Sequence, residues 1–179
     1  ATVFWKILPE SRNFRPRSLR PRSLLDGFVM HFKDAGLPWL FLEAFLLMGA
    51  FVTLFNYIGY RLLAAPYDLS QAWVGLLSLV YLSGIYSSAR IGSLADRLGR
   101  RRVLWATILV MLAGMALTLF TPLWLIVPGM LVFTFGFFGA HSVASSWIGR
   151  RAVKAKGQAS SLYLFCYYAG SSIAGTAGG

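Results

Sequence analysis

Eleven residues, Gly92-Ser-Leu-Ala-Asp96-Arg97-Leu-Gly99-Arg100-Arg101-Arg102, separate two apolar stretches at roughly 71–91 and 103–121. Each stretch is long enough to cross the core of a bilayer as a helix, whereas the connection between them is too short to do so. The chain must therefore turn back on the face of the membrane that it has just reached. Four arginines in the turn mark that face as the cytoplasmic one, where loops collect Lys and Arg.

The rest of the chain repeats the pattern. Hydrophobic residues make up 57 % of it and charged residues 13 %, a balance that excludes an ordinary soluble domain. The net charge of +11 would suit nucleic acid if the basic residues were clustered on a polar surface. They lie instead in the gaps between apolar runs, so a bilayer is the expected partner and nucleic acid is not. Cys166 is the single cysteine, sits in an apolar run and reads as a small packing residue.

Three domains are expected. Residues 1–8 read as the end of a membrane helix, closed by Pro9-Glu10-Ser11. Residues 9–37 form a basic loop in which the pentad Arg-Pro-Arg-Ser-Leu occurs twice, extended and solvated over its proline-rich part. Within it, Leu24 to Lys33 predicts a short interfacial helix with Leu24, Leu25, Phe28 and Phe32 on one side. Residues 38–179 then predict five membrane helices at about 38–60, 71–91, 103–121, 123–147 and 158–179. Pro128 inside the fourth is tolerable because neighbouring helices can satisfy the carbonyl it frees. Segments 1–37, 90–102 and 148–157 hold sixteen of the seventeen Lys and Arg residues, and 61–70 with 121–122 hold only Arg61. This places the basic loops 9–37, 92–102 and 148–157 in the cytoplasm.

In the turn itself, Gly92 and Gly99 predict sharp reversal and close helix approach. Asp96 is a lone carboxylate among cations, suited to a helix N-terminus or to an arginine. Arg150 and Arg151, at the cytoplasmic end of the fourth helix, are the partners that topology brings within reach. A contact of this kind would hold the cytoplasmic side shut; the alternative is that Arg100, Arg101 and Arg102 serve topology alone.

The spacing G-x-x-x-D-R-x-G-R-R over Gly92, Asp96, Arg97, Gly99, Arg100 and Arg101 resembles the loop signature of the major facilitator superfamily. The stretches Phe55 to Leu62 and His141 to Gly149 are similar to bacterial inner-membrane transport proteins of that family, and the resemblance extends over nearly the whole chain. It implies an all-α membrane protein, an incomplete second half of a twelve-helix bundle. The implied correspondence is to the end of helix 6, the central loop and helices 7 to 11, with an N-terminal six-helix half elsewhere in the same chain.

Inside the membrane, Glu43 stands about five residues, or roughly 7 Å, into the first full span. A carboxyl group there is costly and suits proton coupling, although it could also reach the cytoplasmic rim and be solvated there. His141, among small residues of the fourth span, predicts either a substrate contact or a helix-to-helix hydrogen bond. Asn56 and Tyr57 are further cavity candidates, as are Tyr81 and Ser83. No phosphate-binding loop, metal-ligand spacing or activated nucleophile is present, so neither catalysis nor a cofactor is expected. The expected function is transmembrane transport of a small molecule by alternating access, as proton-coupled efflux from a bacterial inner membrane. Import of sugars or organic acids, and a non-transporting receptor or assembly subunit, are the alternatives.

Overall fold

A computed structural model describes residue 7 and residues 21–177. The helix end expected over 1–8, Ile7 apart, lies outside these residues, as do the proline-rich stretch up to residue 20 and Gly178 and Gly179. Among the described residues every regular element is helical: α1 Pro21–Phe32, α2 Leu37–Leu63, α3 Gln71–Leu98, α4 Arg100–Thr118, α5 Leu123–Arg151 and α6 Lys156–Ala177. One 3-10 turn, Leu77–Val80, lies within α3. Helices α2 to α5 are long and apolar enough to cross a bilayer. The fifth expected span, α6, has the length at 22 residues, but its Ser, Gly and Tyr residues leave it less apolar than the other four.

The largest departure from expectation is at the arginine turn. Residues 92–102 are not an eleven-residue loop, because α3 continues to Leu98 and α4 begins at Arg100. Gly99 alone makes the reversal, with φ of 93°, a conformation that costs a glycine little. Its N–H still donates to Ala95 O at 3.1 Å, and its carbonyl accepts from Val103 N at 3.2 Å, so both helices end with their hydrogen bonding continued. Gly92 lies inside α3, and a Cβ there would meet Ser142 Oγ at an ordinary 3.6 Å, so the sharp turn does not depend on it. Likewise α5 extends to Arg151, which converts the start of the expected loop 148–157 into its last turn. Cations there face the negative end of the helix dipole.

Helix α1 forms where a short interfacial helix was expected, and it meets the rest of the protein through a side other than that of Leu25 and Phe32. Gly27 and His31 are buried, while Leu25, Val29 and Phe32 are exposed. His31 Nε2 donates to the Ala155 carbonyl at 3.2 Å, and Gln158 Nε2 donates to Leu24 O at 3.4 Å. Polar contacts with the start of α6 therefore orient the helix, leaving its large apolar side chains facing outward.

Helix α5 is the centre of the bundle, packed on α2, α3, α4 and α6. Lipid is as apolar as leucine, so helices in a bilayer hold together through close packing and polar contacts rather than through water exclusion. The small residues of α5 supply the close packing. A Cβ on Gly136 would lie 2.7 Å from the Thr107 carbonyl oxygen of α4, and one on Gly139 would lie 2.9 Å from both Ser87 Oγ and Thr107 Cγ2. Polar contacts add to this: Ser87 Oγ donates to Phe135 O at 2.6 Å and Ser83 Oγ to Leu131 O at 3.1 Å, joining α3 to α5. Thr53 Oγ1 donates to Ala174 O at 3.2 Å, joining α2 to α6. At the end opposite the arginine turn, Arg61 donates to the carbonyls of Thr118, at 2.5 Å, and Phe120, at 2.8 Å. This cation, an exception to the charge pattern, thus caps the C-terminus of α4.

Gly136→Val should destabilise the full-length protein by about 1–3 kcal/mol through overpacking, seen as a lowered thermal midpoint in detergent. Gly59→Ala, with no neighbour within 4 Å, should leave the midpoint unchanged or raised. Equal midpoints for Gly136→Val and the parent would overturn this account of the packing.

Candidate functional site

At the arginine turn the chain brings charges from three helices together. Asp96 lies in the last turn of α3, and Arg100 opens α4, so the four-residue spacing across Gly99 lets the two side chains pair directly. Arg100 also donates to Ser146 Oγ of α5, and Arg150 Nη2 lies 3.3 Å from Asp96 Oδ2. The Arg100 side chain is only 13 % exposed, against 66 % for Arg150. The first pair is therefore the better shielded from solvent, and the second is the weaker. Arg97 is exposed and makes no ion pair among the described residues. Arg101, also exposed, lines a groove described below.

Arg151 does not join this cluster. Its Nε lies 2.5 Å from Oδ1 of Asp34, in the short link between α1 and α2. The same carboxylate oxygen accepts from the Gly36 and Leu37 amides, each at 2.8 Å, at the positive end of α2. The expected partnership of Arg151 with Asp96 is replaced because Arg150 and Arg151 are consecutive on α5 and point to different neighbours. Partial burial pushes the Asp34 carboxyl upward, but the Arg151 guanidinium and the two amides outweigh it and hold the group below its ordinary value. The sequence signal for Asp34 was an Asp three residues before Leu37-Pro38, where a helix begins.

Glu43 is half-buried in α2, and both of its carboxylate oxygens are buried without a hydrogen-bond partner among the described residues. It lines a groove of about 850 Å³ between α2 and α4, with Trp39 and Leu46 on one wall, Trp105 and Leu112 on the other, and Arg101 and Arg151 at one end. Tyr57 is exposed and lies seven residues beyond Ala50, on the helical line that faces this groove.

His141 belongs to another surface. Its Nδ1 is 3.0 Å from Tyr163 Oη, and its ring centroid lies 4.8 Å from that of Tyr167. Asn56 is exposed near the far end of α2, and the structure brings neither it nor Tyr57 to His141. Tyr81 meets Phe55 at 5.4 Å in a stacked pair, and Ser83 is used in helix packing. The aromatic surroundings of His141 were not read from the sequence. Their signal is the four-residue spacing in Phe51 and Phe55, Phe137 and His141, and Tyr163 and Tyr167, which sets each pair on one helical face.

A helical bundle with membrane-length helices and charge-tied helix ends defines the class, and similarity in sequence defines the family. The Major Facilitator Superfamily profile matches residues 1–175, and the chain belongs to that family. It is 65 % identical over 179 residues to the inner membrane transport protein YnfM of Escherichia coli (strain K12), covering 100 % of this chain and 43 % of that protein. It is 49 % identical over 179 residues to the MFS-type transporter YybF of Bacillus subtilis (strain 168), covering 100 % and 44 %. A transporter of Buchnera aphidicola subsp. Schizaphis graminum (strain Sg) is 46 % identical over 177 residues, covering 99 % and 43 %. The chain thus spans less than half the length of the curated relatives it matches. No solved structure matches it. The fold is the all-α membrane bundle of the family, of a length that fits the second half of its twelve helices. The family is one of transporters, in keeping with a chain read as having no catalytic chemistry.

The Asp34 contact has a pH signature. A carboxyl held below its ordinary value of 3.8 contributes stability that is present above that value and is lost as pH falls through the lower folded value. The thermal midpoint of the full-length protein should exceed that of Asp34→Asn by a constant margin above about pH 5, and the margin should shrink below about pH 4. A margin that does not vary with pH would show that Asp34 does not act through its charge.

Proposed function

We propose that the chain forms helices 7 to 11, with the preceding central loop, of a secondary transporter that moves a small molecule by alternating access. The rest of the longer protein would supply the opposing six-helix half, and the basic loops would face the cytoplasm. Family membership and the transporter names of the relatives support the class of activity. The observation that carries the mechanism is the Asp96 cluster, in which one carboxylate ties the ends of α3, α4 and α5 through Arg100 and Arg150. Three helix ends joined in this way move as one lever, which is what rocking of one half against the other requires. The same lever closes the cytoplasmic side when it meets the opposing half.

The direction we propose is efflux, coupled to inward proton movement. Glu43 is the proposed proton carrier, because a buried carboxyl group without a hydrogen-bond partner can exchange a proton without breaking a protein contact.

The test uses the full-length protein in everted membrane vesicles with an imposed pH gradient and a panel of lipophilic cations, sugars and organic acids. Substrate-dependent collapse of the gradient is expected from the parent and not from Glu43→Gln. Asp96→Asn should lower flux at least about tenfold, the effect of losing roughly 1.4 kcal/mol from a barrier-determining state, while membrane insertion stays intact. A parental response that Glu43→Gln shares would remove Glu43 from coupling. Normal flux in Asp96→Asn would remove the charge cluster from the mechanism.

A further inference from the structure

Helix α1 has three sides. Gly27 and His31 are buried against the bundle, whereas Leu25, Val29 and Phe32 form one exposed apolar stripe and Arg22, Asp26 and Lys33 one exposed polar stripe. Spacings of three, four and seven residues align each stripe along the helix, and the two lie side by side. Polarity therefore changes across the width of a single exposed helix face.

The neighbours of α1 give this face its direction. The Phe32 ring meets the Phe41 ring edge-on at 5.7 Å, and Phe41 lies four residues, about 6 Å, into the membrane-length helix α2. The apolar stripe thus leans to the bilayer side. His31 donates to the Ala155 carbonyl at 3.2 Å, which sets the exposed Lys154 and Lys156 on either side of that contact, with Val153 exposed beside them. Arg22, Lys33, Lys154 and Lys156 enter none of the ion pairs among the described residues. Asp34 and Asp96 are already engaged at this end by Arg151, Arg100 and Arg150, which leaves Asp26 as the exposed counter-charge to these four cations.

We propose that α1 and the link before α6 form a docking surface for anionic phospholipid. Leu25, Val29 and Phe32 enter the boundary between headgroups and acyl chains, and the four cations donate to lipid phosphates. A stripe of three apolar side chains holds a helix in this boundary only marginally, so the second signal is electrostatic, and it selects negatively charged headgroups. An apolar stripe at bilayer depth beside unpaired cations matches a leaflet, in which hydrocarbon lies beneath phosphate; the opposing six-helix half is the alternative occupant. Asp34, in the link that follows α1, ties this surface to the ends of α2 and α5.

The test uses the full-length protein with its native cysteines replaced by serine, labelled at Val29→Cys with an environment-sensitive fluorophore, in nanodiscs of phosphatidylcholine with or without phosphatidylglycerol. The label should be quenched by bromines on lipid chains near the headgroup and not by a neutral water-soluble quencher. Phosphatidylglycerol should raise the lipid quenching at least about twofold, and the joint variant Arg22→Gln, Lys33→Gln, Lys154→Gln, Lys156→Gln should lose that rise. A label shielded from both quenchers would show the face covered by protein and overturn the proposal, as would one quenched from water. Lipid quenching that phosphatidylglycerol does not raise, or a rise that the joint variant keeps, would overturn the selection of anionic lipid. None of these readouts depends on transport, so the transport reading stands or falls apart from them.

Discussion

Close approach of α4 to the small-residue face of α5 is the contact on which the rest of this bundle depends. In a bilayer the helices gain nothing by leaving lipid for one another, so contact must come from backbones that can come near enough for dispersion and for polar groups to act. Gly114, Gly129, Gly136 and Gly139 make that possible, each with a neighbouring atom where a Cβ would stand. With α4 and α3 seated on α5, Ser83 and Ser87 reach carbonyls across the interface. Phe133 and Phe137 are then fully enclosed, and Phe51 from α2 stacks on Phe137. The rings around His141 and the charge cluster are both consequences of how α5 is surrounded.

At the arginine end, two acids divide the cations between them. Asp96 draws Arg100 and Arg150 together across α3, α4 and α5, while Asp34 takes Arg151 and caps the start of α2. Every helix from α2 to α5 therefore has a carboxylate contact at this end, although the described residues contain few acids. With α1 held to Ala155 and Gln158, the link before α2 is also tied to the start of α6. Side-chain contacts thus link all six helices at this end of the bundle.

Much of the fold was legible because the bilayer imposes a length and a charge rule that a single sequence displays directly. The helices from α2 to α6 fall where apolar runs fall, and of the two expected partners of Asp96, Arg150 is found with it, joined by Arg100, which was not expected as a partner. The collapse of the turn to Gly99 was not legible, because polar residues continue a helix as readily as they leave one, and only the positive φ shows where the chain reverses. Nor were the contacts that seat α1, because the hydrogen bonds of His31 and Gln158 join residues more than a hundred positions apart.

Sequence by itself determined what depends on one segment at a time: a membrane-embedded helical chain, the apolar runs that become its helices, and the family to which it belongs. Tertiary structure alone decided which of two consecutive arginines meets which acid, that Glu43 faces a groove with α4, and that His141 stands in an aromatic wall. The physical reason is that periodicity fixes the angle of a side chain about its own helix axis. What it meets there is set by the rotation and depth at which another helix, distant in sequence, comes to rest.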